Sequence, residues 1–348
     1  MRLLKSRNTM LGLDISPRAV KLIEMERVNG TKKVLSHAIS EWDGQDDPGL
    51  DQLEGGLLKK LVLENNIHTK KVVTIVPHKD LTERFVELPF SAGNKMGEYV
   101  KWEIPKHINY PVEEATYDYI CADSSQREKC EVHLAITRKD SVDRIVSIIR
   151  DAGLIPEVIE TRSTALHRLV KQNPEWMTKT VTLLDIEYRW TSMLVISEGT
   201  LRMSRRIENG KRDIVTSIAV LSGCELDEAE NLLMDLGFDE KVLEGESVDP
   251  TSREFNVYSA IERPVDRMLA DMKRSYEFYK AQYGIENDPD LILISGETSC
   301  IPNLDRFISM KTGNKANVIR IEDLSGLQID GKELQVGSFT IALGLAMR

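Results

Sequence analysis

One local pattern occurs twice in this chain: a buried strand that ends in aspartate, then a turn, then a second strand. The first copy covers residues 11–21 and contains Asp14, and the second covers 183–196 and contains Asp185. The strands are recognised by apolar or alternating runs bounded by turn residues. A chain of 348 residues is too long for one core. The repeat therefore predicts an α/β fold with two related lobes.

A segment of different character separates the two copies. It contains a strand pair at 116–120 and 132–136, and a helix at 141–152 whose apolar residues recur at helical spacing. We interpret it as a small inserted α/β domain. The expected organisation is a first lobe of 1–80 plus 157–178, an inserted domain of 81–156, and a second lobe of 179–348 with a helical part at about 211–288.

Charge and composition exclude several classes of function. The formal net charge of −10 opposes a large phosphate-binding surface, so nucleic acid and anionic lipid are poor partners. No apolar run is long enough to span a membrane. The four cysteines form neither a CxxC motif nor a cluster with histidine. We expect a cytoplasmic protein without a structural disulfide, a zinc site or an inserted membrane segment.

The two acidic strand ends supply the candidate site residues. In a fold built from duplicated lobes, such turns face one another, and the carboxylates of Asp14 and Asp185 can hold Mg²⁺ through water. Backbone amides in the turns at Ser16 and Gly296 can cradle phosphates. Lys21 returns along the second strand and brings its ammonium toward the same phosphates. The alternative is that both aspartates only form turns.

Several stretches carry a resemblance to a known family: LGLDIS at 11–16, YVKWEIP at 99–105, INYPVEE at 108–114 and GLAMR at 344–348. Over essentially the whole chain the sequence resembles the PilM family of type IV pilus assembly proteins, within the actin/FtsA-like superfamily. The resemblance implies an actin/FtsA-like (ribonuclease H-like) two-lobed ATPase fold with a small inserted α/β domain. It also implies ATP and Mg²⁺ as ligands.

Departures from the family pattern bear on that nucleotide site. Relatives usually have glycine where this chain has Glu187, and paired glycines where it has Gly296 and Glu297; Arg162 stands where they often have an acidic residue. Glycine lets the backbone approach a phosphate closely. A carboxylate about 4 Å from a phosphate charge costs on the order of 4 kcal/mol at an effective dielectric of about 20. We therefore predict a degraded site, with weak or no ATP binding and no enzymatic turnover.

The resemblance also implies a protein partner, the N-terminal cytoplasmic tail of a PilN-like inner-membrane protein. In the family this tail docks between the first domain and the inserted domain, which would place this chain at the membrane through its partner. The candidate partner-binding residues are Arg84, Phe85, Val86, Tyr99 and Trp102. The alternative is that these aromatic residues form the core of the small domain. Other pilus components and other copies of this chain are further candidate partners.

Three other classes of function compete with this interpretation. A sugar-kinase-like enzyme of the same superfamily would need intact glycine loops and a phosphoryl acceptor site. A membrane-polymerising division protein of the FtsA type would need a C-terminal amphipathic helix, which is not expected after Arg348. A scaffold of a related secretion system would bind the same kind of partner, so the sequence leaves this alternative open.

Overall fold

The structure is a computed structural model, which describes residues 8–16, 18–41, 54–89, 95–121, 129–246, 249–329 and 334–348. Its strands are β1 (Thr9–Ile15), β2 (Ala19–Val28), β3 (Thr31–Glu41), β4 (Lys71–Ile75), β5 (Thr82–Pro89), β6 (Ala115–Cys121), β7 (Lys129–Arg138), β8 (Ile155–Glu160), β9 (Thr180–Ile186), β10 (Thr191–Ser197), β11 (Thr200–Ile207), β12 (Leu291–Ser295), β13 (Ala316–Val318) and β14 (Leu327–Ile329). Its α-helices are α1 (Gly55–Glu64), α2 (Met96–Glu103), α3 (Lys139–Asp151), α4 (Arg162–Val170), α5 (Lys211–Ser222), α6 (Leu226–Leu236), α7 (Glu240–Leu243), α8 (Arg253–Tyr283), α9 (Leu304–Thr312) and α10 (Thr340–Ala346).

The internal repeat is visible in the strand order. One sheet has the order β14-β3-β2-β1-β4-β8, and another has the order β11-β10-β9-β12-β13. Each contains an antiparallel meander of three strands. In each, the first strand of the meander also pairs in parallel with a later strand, β1 with β4 and β9 with β12. The prediction of two related α/β lobes is therefore confirmed.

The chain divides into two compact units. The first comprises residues 1–169, 326–334 and 341–348, and the second comprises 170–325 and 335–340. This division differs from the one expected from sequence, since residues 341–348 belong to the first unit. Gly12 supplies the physical reason: a Cβ there would lie 2.0 Å from the carbonyl oxygen of Ala342, so glycine lets α10 pack directly on β1.

Helix α3 is part of the core of the first unit's six-stranded sheet, although its sequence lies in the predicted inserted domain. Its residues Ile145, Ile148 and Ile149 are buried in the same cluster as Leu13 of β1 and Leu58 of α1. The apolar stripe of α3 therefore covers the large sheet.

The three-stranded sheet of the first unit has the order β5-β7-β6, with both pairs antiparallel. Side chains of β7 alternate between its two faces. Val132 and Leu134 pack with Val100 and Ile104 against α2, where the small core of this sheet lies. His133, between them in sequence, therefore points to the opposite face.

Helix α8 provides much of the core of the second unit. Met268, Met272, Tyr276 and Tyr279 recur at helical spacing along it and are all buried in one cluster. Apolar and aromatic residues at this spacing in the sequence predict a buried helix face, and the burial of all four side chains confirms it. At 31 residues α8 is long, but neither it nor another helix in the described ranges is apolar enough over a sufficient length to cross a membrane.

Candidate functional site

The first acidic strand end lies in the interior of the first unit. The Asp14 side chain is 1% exposed, and its Oδ1 lies 3.4 Å from Nη2 of Arg162, the first residue of α4. Lys21 is opposite Asp14 in the pairing of β1 with β2 and is equally buried. The carboxylate that would hold hydrated Mg²⁺ therefore has a protein cation, the Arg162 guanidinium, beside it.

The Ser16 hydroxyl is used within its own turn. Its Oγ donates to the carbonyl oxygen of Ala19 and accepts from the Ala19 amide, each at 3.0 Å. The Ser16 amide also donates to the Ala19 carbonyl oxygen, at 2.8 Å. These bonds fix the passage from β1 to β2.

The second acidic strand end lies in the interior of the second unit. Asp185 is fully buried, and its Oδ1 accepts hydrogen bonds from Ser295 Oγ at 2.7 Å and Thr340 Oγ1 at 3.3 Å. Two hydroxyls thus satisfy a carboxylate that sequence reasoning assigned to Mg²⁺. Ser295 follows from the parallel pairing of β12 with β9, which sets Ser295 directly beside Asp185.

Gly296 follows β12 and is constrained by packing. Its φ of +89° lies in the region that favours glycine, and a Cβ there would be 2.4 Å from the carbonyl oxygen of Ile186. Its amide donates to the carbonyl oxygen of Gly337 at 2.8 Å. The amide expected to cradle a phosphate is therefore bonded within the second unit.

Two glutamates flank this second half of the site. Glu187 is 1% exposed, and its amide donates to the Trp190 carbonyl oxygen at 3.0 Å. Glu297 is half-buried and begins a short 3₁₀ turn, Glu297–Cys300. Glu187 thus places a buried carboxylate two residues after Asp185, and an ionised carboxylate at such a position disfavours a phosphate.

A groove of about 480 Å³ opens in the first unit beside the three-stranded sheet. Consecutive residues 116–120 of β6 line it, together with residues of β7, β8 and α4 and with Val142 of α3. Ile120 on the β6 side is 60% exposed, and Val158 and Ile159 of β8 also line the groove. The groove therefore combines an apolar surface with an edge strand.

The outer edge of β6 is partly closed by its own side chain. Among the described strands β6 pairs only with β7, and alternate backbone groups of such an edge strand point away from the partner. The Tyr119 amide donates to the Asp118 carboxylate at 2.8 Å. An acidic side chain that takes an edge amide in this way discourages unspecific strand pairing.

The polar end of the groove is formed by an ion-pair network. The Glu160 carboxylate accepts from Arg168 Nη1 at 2.6 Å and Nη2 at 2.7 Å, and from Arg348 at 2.8 Å. Arg168 also donates to the carbonyl oxygen of Gly344 at 2.7 Å. In contrast, the hydroxyl of Thr137, which is 5% exposed and lines the groove, has no hydrogen-bond partner in the described part of the chain.

Glu83 of β5 connects the small sheet to α4. Its Oε1 accepts a hydrogen bond from Ser163 Oγ and lies 2.9 Å from His133 Nε2. Burial on its own would raise the pKa of Glu83, but the hydrogen bonds from His133 and Ser163 outweigh burial and lower that pKa below its ordinary value. The ionised carboxylate therefore stabilises this connection.

Residues 12–348 of this chain match a protein family that is described as "Type IV pilus assembly protein PilM". The chain belongs to the PilM family. The structure is also similar to that of a "PilM-PilN type IV pilus biogenesis complex", with a TM-score of 0.78, 22% identity and 97% of each chain covered. Membership of the PilM family assigns this chain to type IV pilus assembly, as the sequence resemblance predicted.

More distant structures agree on the fold. The ethanolamine utilization protein EutJ of Carboxydothermus hydrogenoformans has a TM-score of 0.56 and 11% identity, covering 100% of this chain and 91% of EutJ. MreB5 of Spiroplasma citri bound to AMPPNP has a TM-score of 0.50 and 10% identity, covering 90% and 92%. The actin-like ATPase fold expected of a PilM-family chain is confirmed.

The five residues predicted to bind a partner lie in different places in this PilM-family chain. Phe85 is half-buried and stacks on His133 with 4.5 Å between ring centroids, on the sheet face that carries the groove. Val86 and Tyr99 pack with the small core on the opposite face. Trp102 is 69% exposed on α2, and Arg84 is exposed beside Phe85.

Sequence reasoning did not single out the β6 side of the groove. The polar and apolar alternation of residues 116–120 predicted a strand, but alternation gives no information on which edge stays unpaired. The edge position follows from the pairing of both β5 and β6 with β7, which depends on residues distant in the sequence.

Proposed function

We propose that this chain is a cytoplasmic scaffold of type IV pilus assembly that binds the N-terminal cytoplasmic tail of a PilN-like inner-membrane protein in the groove beside β6. The tail would hold the scaffold at the inner membrane. The observation that carries the proposal is a groove lined by the edge strand β6 and by the buried Thr137 hydroxyl, neither of which has a further hydrogen-bonding partner among the residues that the structure describes.

An extended peptide fits the physical properties of this groove. It can add to the β6 edge through main-chain hydrogen bonds while alternate side chains enter pockets on either side. For this the Asp118 carboxylate must release the Tyr119 amide. The exposed Ile120 and the residues Val158 and Ile159 supply apolar contacts for the inserted side chains.

The polar end of the groove would fix the position of the peptide along it. Thr137 can donate to or accept from a polar side chain of the tail, which removes the cost of a buried unpaired hydroxyl. Arg168 and Arg348 are already held by Glu160, so their guanidinium groups are positioned before the tail arrives. Pre-positioning of this kind reduces the entropy lost on binding.

Binding of a labelled peptide that spans the cytoplasmic tail of the PilN-like protein from the same organism tests this proposal by fluorescence anisotropy. We expect Ile120→Ala and Phe85→Ala each to weaken binding roughly tenfold, as for residues that anchor an interface. Leu63→Ala, which truncates an aliphatic side chain of similar exposure on α1, is the matched control and should bind like the wild type.

Circular dichroism and thermal melting must accompany these measurements. Phe85 and Ile120 are outside the buried small-core cluster, so the fold and melting temperature of both variants should stay near those of the wild type. Unchanged affinity in both folded variants would place the tail elsewhere. If only Trp102→Ala weakens binding, the site is on α2. A large loss of stability in Phe85→Ala would show that Phe85 has a structural role.

A further inference from the structure

A second depression, of about 830 Å³, lies wholly in the second unit and has a composition unlike the rest of the chain. Five arginines line it: Arg189, Arg206, Arg212, Arg263 and Arg267. Among the described residues that line it, the carboxylates are those of Glu208 and Asp213. The protein as a whole has a net charge of −10. This arginine depression is therefore a local concentration of positive charge on an acidic protein.

The two helices that build the depression present their arginines at neighbouring positions. On α8, Arg263 and Arg267 are four residues apart and both exposed, so they lie on one face. Arg212 is exposed in the first turn of α5. Arg263 has no ion-pair partner in the described ranges, whereas Arg267 Nη2 is 3.5 Å from Asp213 Oδ1.

A fourth arginine of the depression, Arg206, is held in a fixed position. The Arg206 guanidinium lies 4.4 Å from the centroid of the Trp190 ring, and its Nε is 2.8 Å from Glu208 Oε1. Stacking on tryptophan and an ion pair orient its planar donors. Guanidinium groups bind carboxylates through two parallel hydrogen bonds, which lysine cannot do.

The rim of the depression is aliphatic. Val220 and Leu221 of α5 line it and are 75% and 54% exposed. They lie eight residues after Arg212 and Asp213, respectively, two helical steps of four along the same faces of α5. A free phosphate would engage the arginines but leave these side chains in water. A peptide with both carboxylates and aliphatic side chains would cover both surfaces.

We propose that the arginine depression binds an acidic segment of a partner protein whose aliphatic side chains pack on Val220 and Leu221. The first turn of α5 does not supply the charge, because the amides of Lys211 and Arg212 donate to the carbonyl oxygens of Glu187 and Tyr188. Recognition rests on the guanidinium groups and the aliphatic rim.

The test uses the full chain and a labelled 14-residue peptide with glutamates and leucines at helical spacing. We expect micromolar binding that weakens with added salt. The double variant Arg212→Glu/Arg263→Glu should weaken it at least tenfold, and Val220→Ser/Leu221→Ser severalfold. The matched control Arg144→Glu/Arg150→Glu reverses two exposed arginines of α3 in the first unit and should leave binding unchanged.

Three comparison ligands distinguish the alternatives: the same peptide with serine for leucine, inorganic pyrophosphate and a short DNA duplex. The proposal is overturned if the serine peptide binds as tightly as the leucine peptide, or if pyrophosphate or DNA binds more tightly than the leucine peptide. It is also overturned if Arg212→Glu/Arg263→Glu and the control Arg144→Glu/Arg150→Glu bind the leucine peptide with equal affinity. Binding of the tail peptide in the groove beside β6 should be the same in the wild type and in Arg212→Glu/Arg263→Glu.

Discussion

Asp14 is the residue on which the expectation of nucleotide binding most depends, and its carboxylate is paired with Arg162 in the interior of the first unit. Removing one partner of a buried ion pair leaves the other charge without compensation, which costs about 3 kcal/mol. We therefore expect Arg162→Gln to lower the free energy of unfolding by about 3 kcal/mol, measured by urea denaturation.

The control for this prediction is the neutral pair Asp14→Asn/Arg162→Gln, since it removes both charges. Much of the lost stability should return in the double variant, as the coupling of neighbouring residues in one ion pair requires. If Arg162→Gln alone unfolds at the wild-type urea concentration, Lys21 or another cation holds Asp14, and Arg162 is not essential to the pair.

The Glu83 carboxylate of β5 contacts both His133 of β7 and Ser163 at the start of α4. Because the pKa of Glu83 in the folded protein is below the ordinary value of 4.5, its ionised form stabilises the fold above that value. This stabilisation is lost as the pH falls below 4.5 and through the folded-state pKa. Wild type should therefore exceed Glu83→Gln in melting temperature at pH 7, and the difference should shrink between pH 5 and pH 3.

Glu87→Gln is the matched control for this pH dependence, because Glu87 is on the same strand and is exposed beside Lys129. Its melting temperature should follow that of the wild type at every pH, as for an exposed pair. A constant difference between the wild type and Glu83→Gln from pH 7 to pH 3 would show that the carboxylate does not titrate with unfolding.

At the scale of elements, the sequence predicts those strands and helices that are determined by a local pattern of apolar residues. The meander strands, the helix at 141–152 and the buried stripe of α8 were each readable from apolar spacing, and each is present. Strand β8 was missed, because its sequence, IPEVIE, contains Pro156 and shows no regular alternation of polar and apolar residues. The apolar stripe of α3 was recognised as part of the inserted segment, but the sequence could not show that it packs on the six-stranded sheet, since a stripe does not identify what covers it.

The site residues show the same limit at longer range. Sequence reasoning noted the departure at Arg162 and the glutamates at 187 and 297, but the partners of Asp14 and Asp185 lie more than a hundred residues away along the chain. Such contacts arise only from the register of distant strands. For this reason the sequence could predict that the nucleotide motif is degraded. It could not predict which residues form hydrogen bonds or ion pairs with its two aspartates.

Across the whole molecule, each half of the predicted nucleotide site has its aspartate carboxylate bonded within its own unit. Arg162 contacts Asp14 in the first unit, while Ser295 and Thr340 donate to Asp185 in the second. A nucleotide would have to break these bonds before it could bind. Its binding free energy would be reduced by the free energy needed to break them. For a PilM-family chain, this arrangement favours a scaffold that keeps the fold without depending on a nucleotide.

ATP with Mg²⁺ is therefore expected to bind weakly or not at all, with no detectable hydrolysis. The buried Glu187 carboxylate and the half-buried Glu297 oppose the phosphates, and one such charge about 4 Å away weakens binding by roughly a thousandfold. Isothermal titration calorimetry measures this directly, and Glu187→Gly/Glu297→Gly should strengthen any weak binding found. Submicromolar affinity in the wild type that disappears in Asp14→Ala would instead show a working site in which Mg²⁺ displaces Arg162 from Asp14.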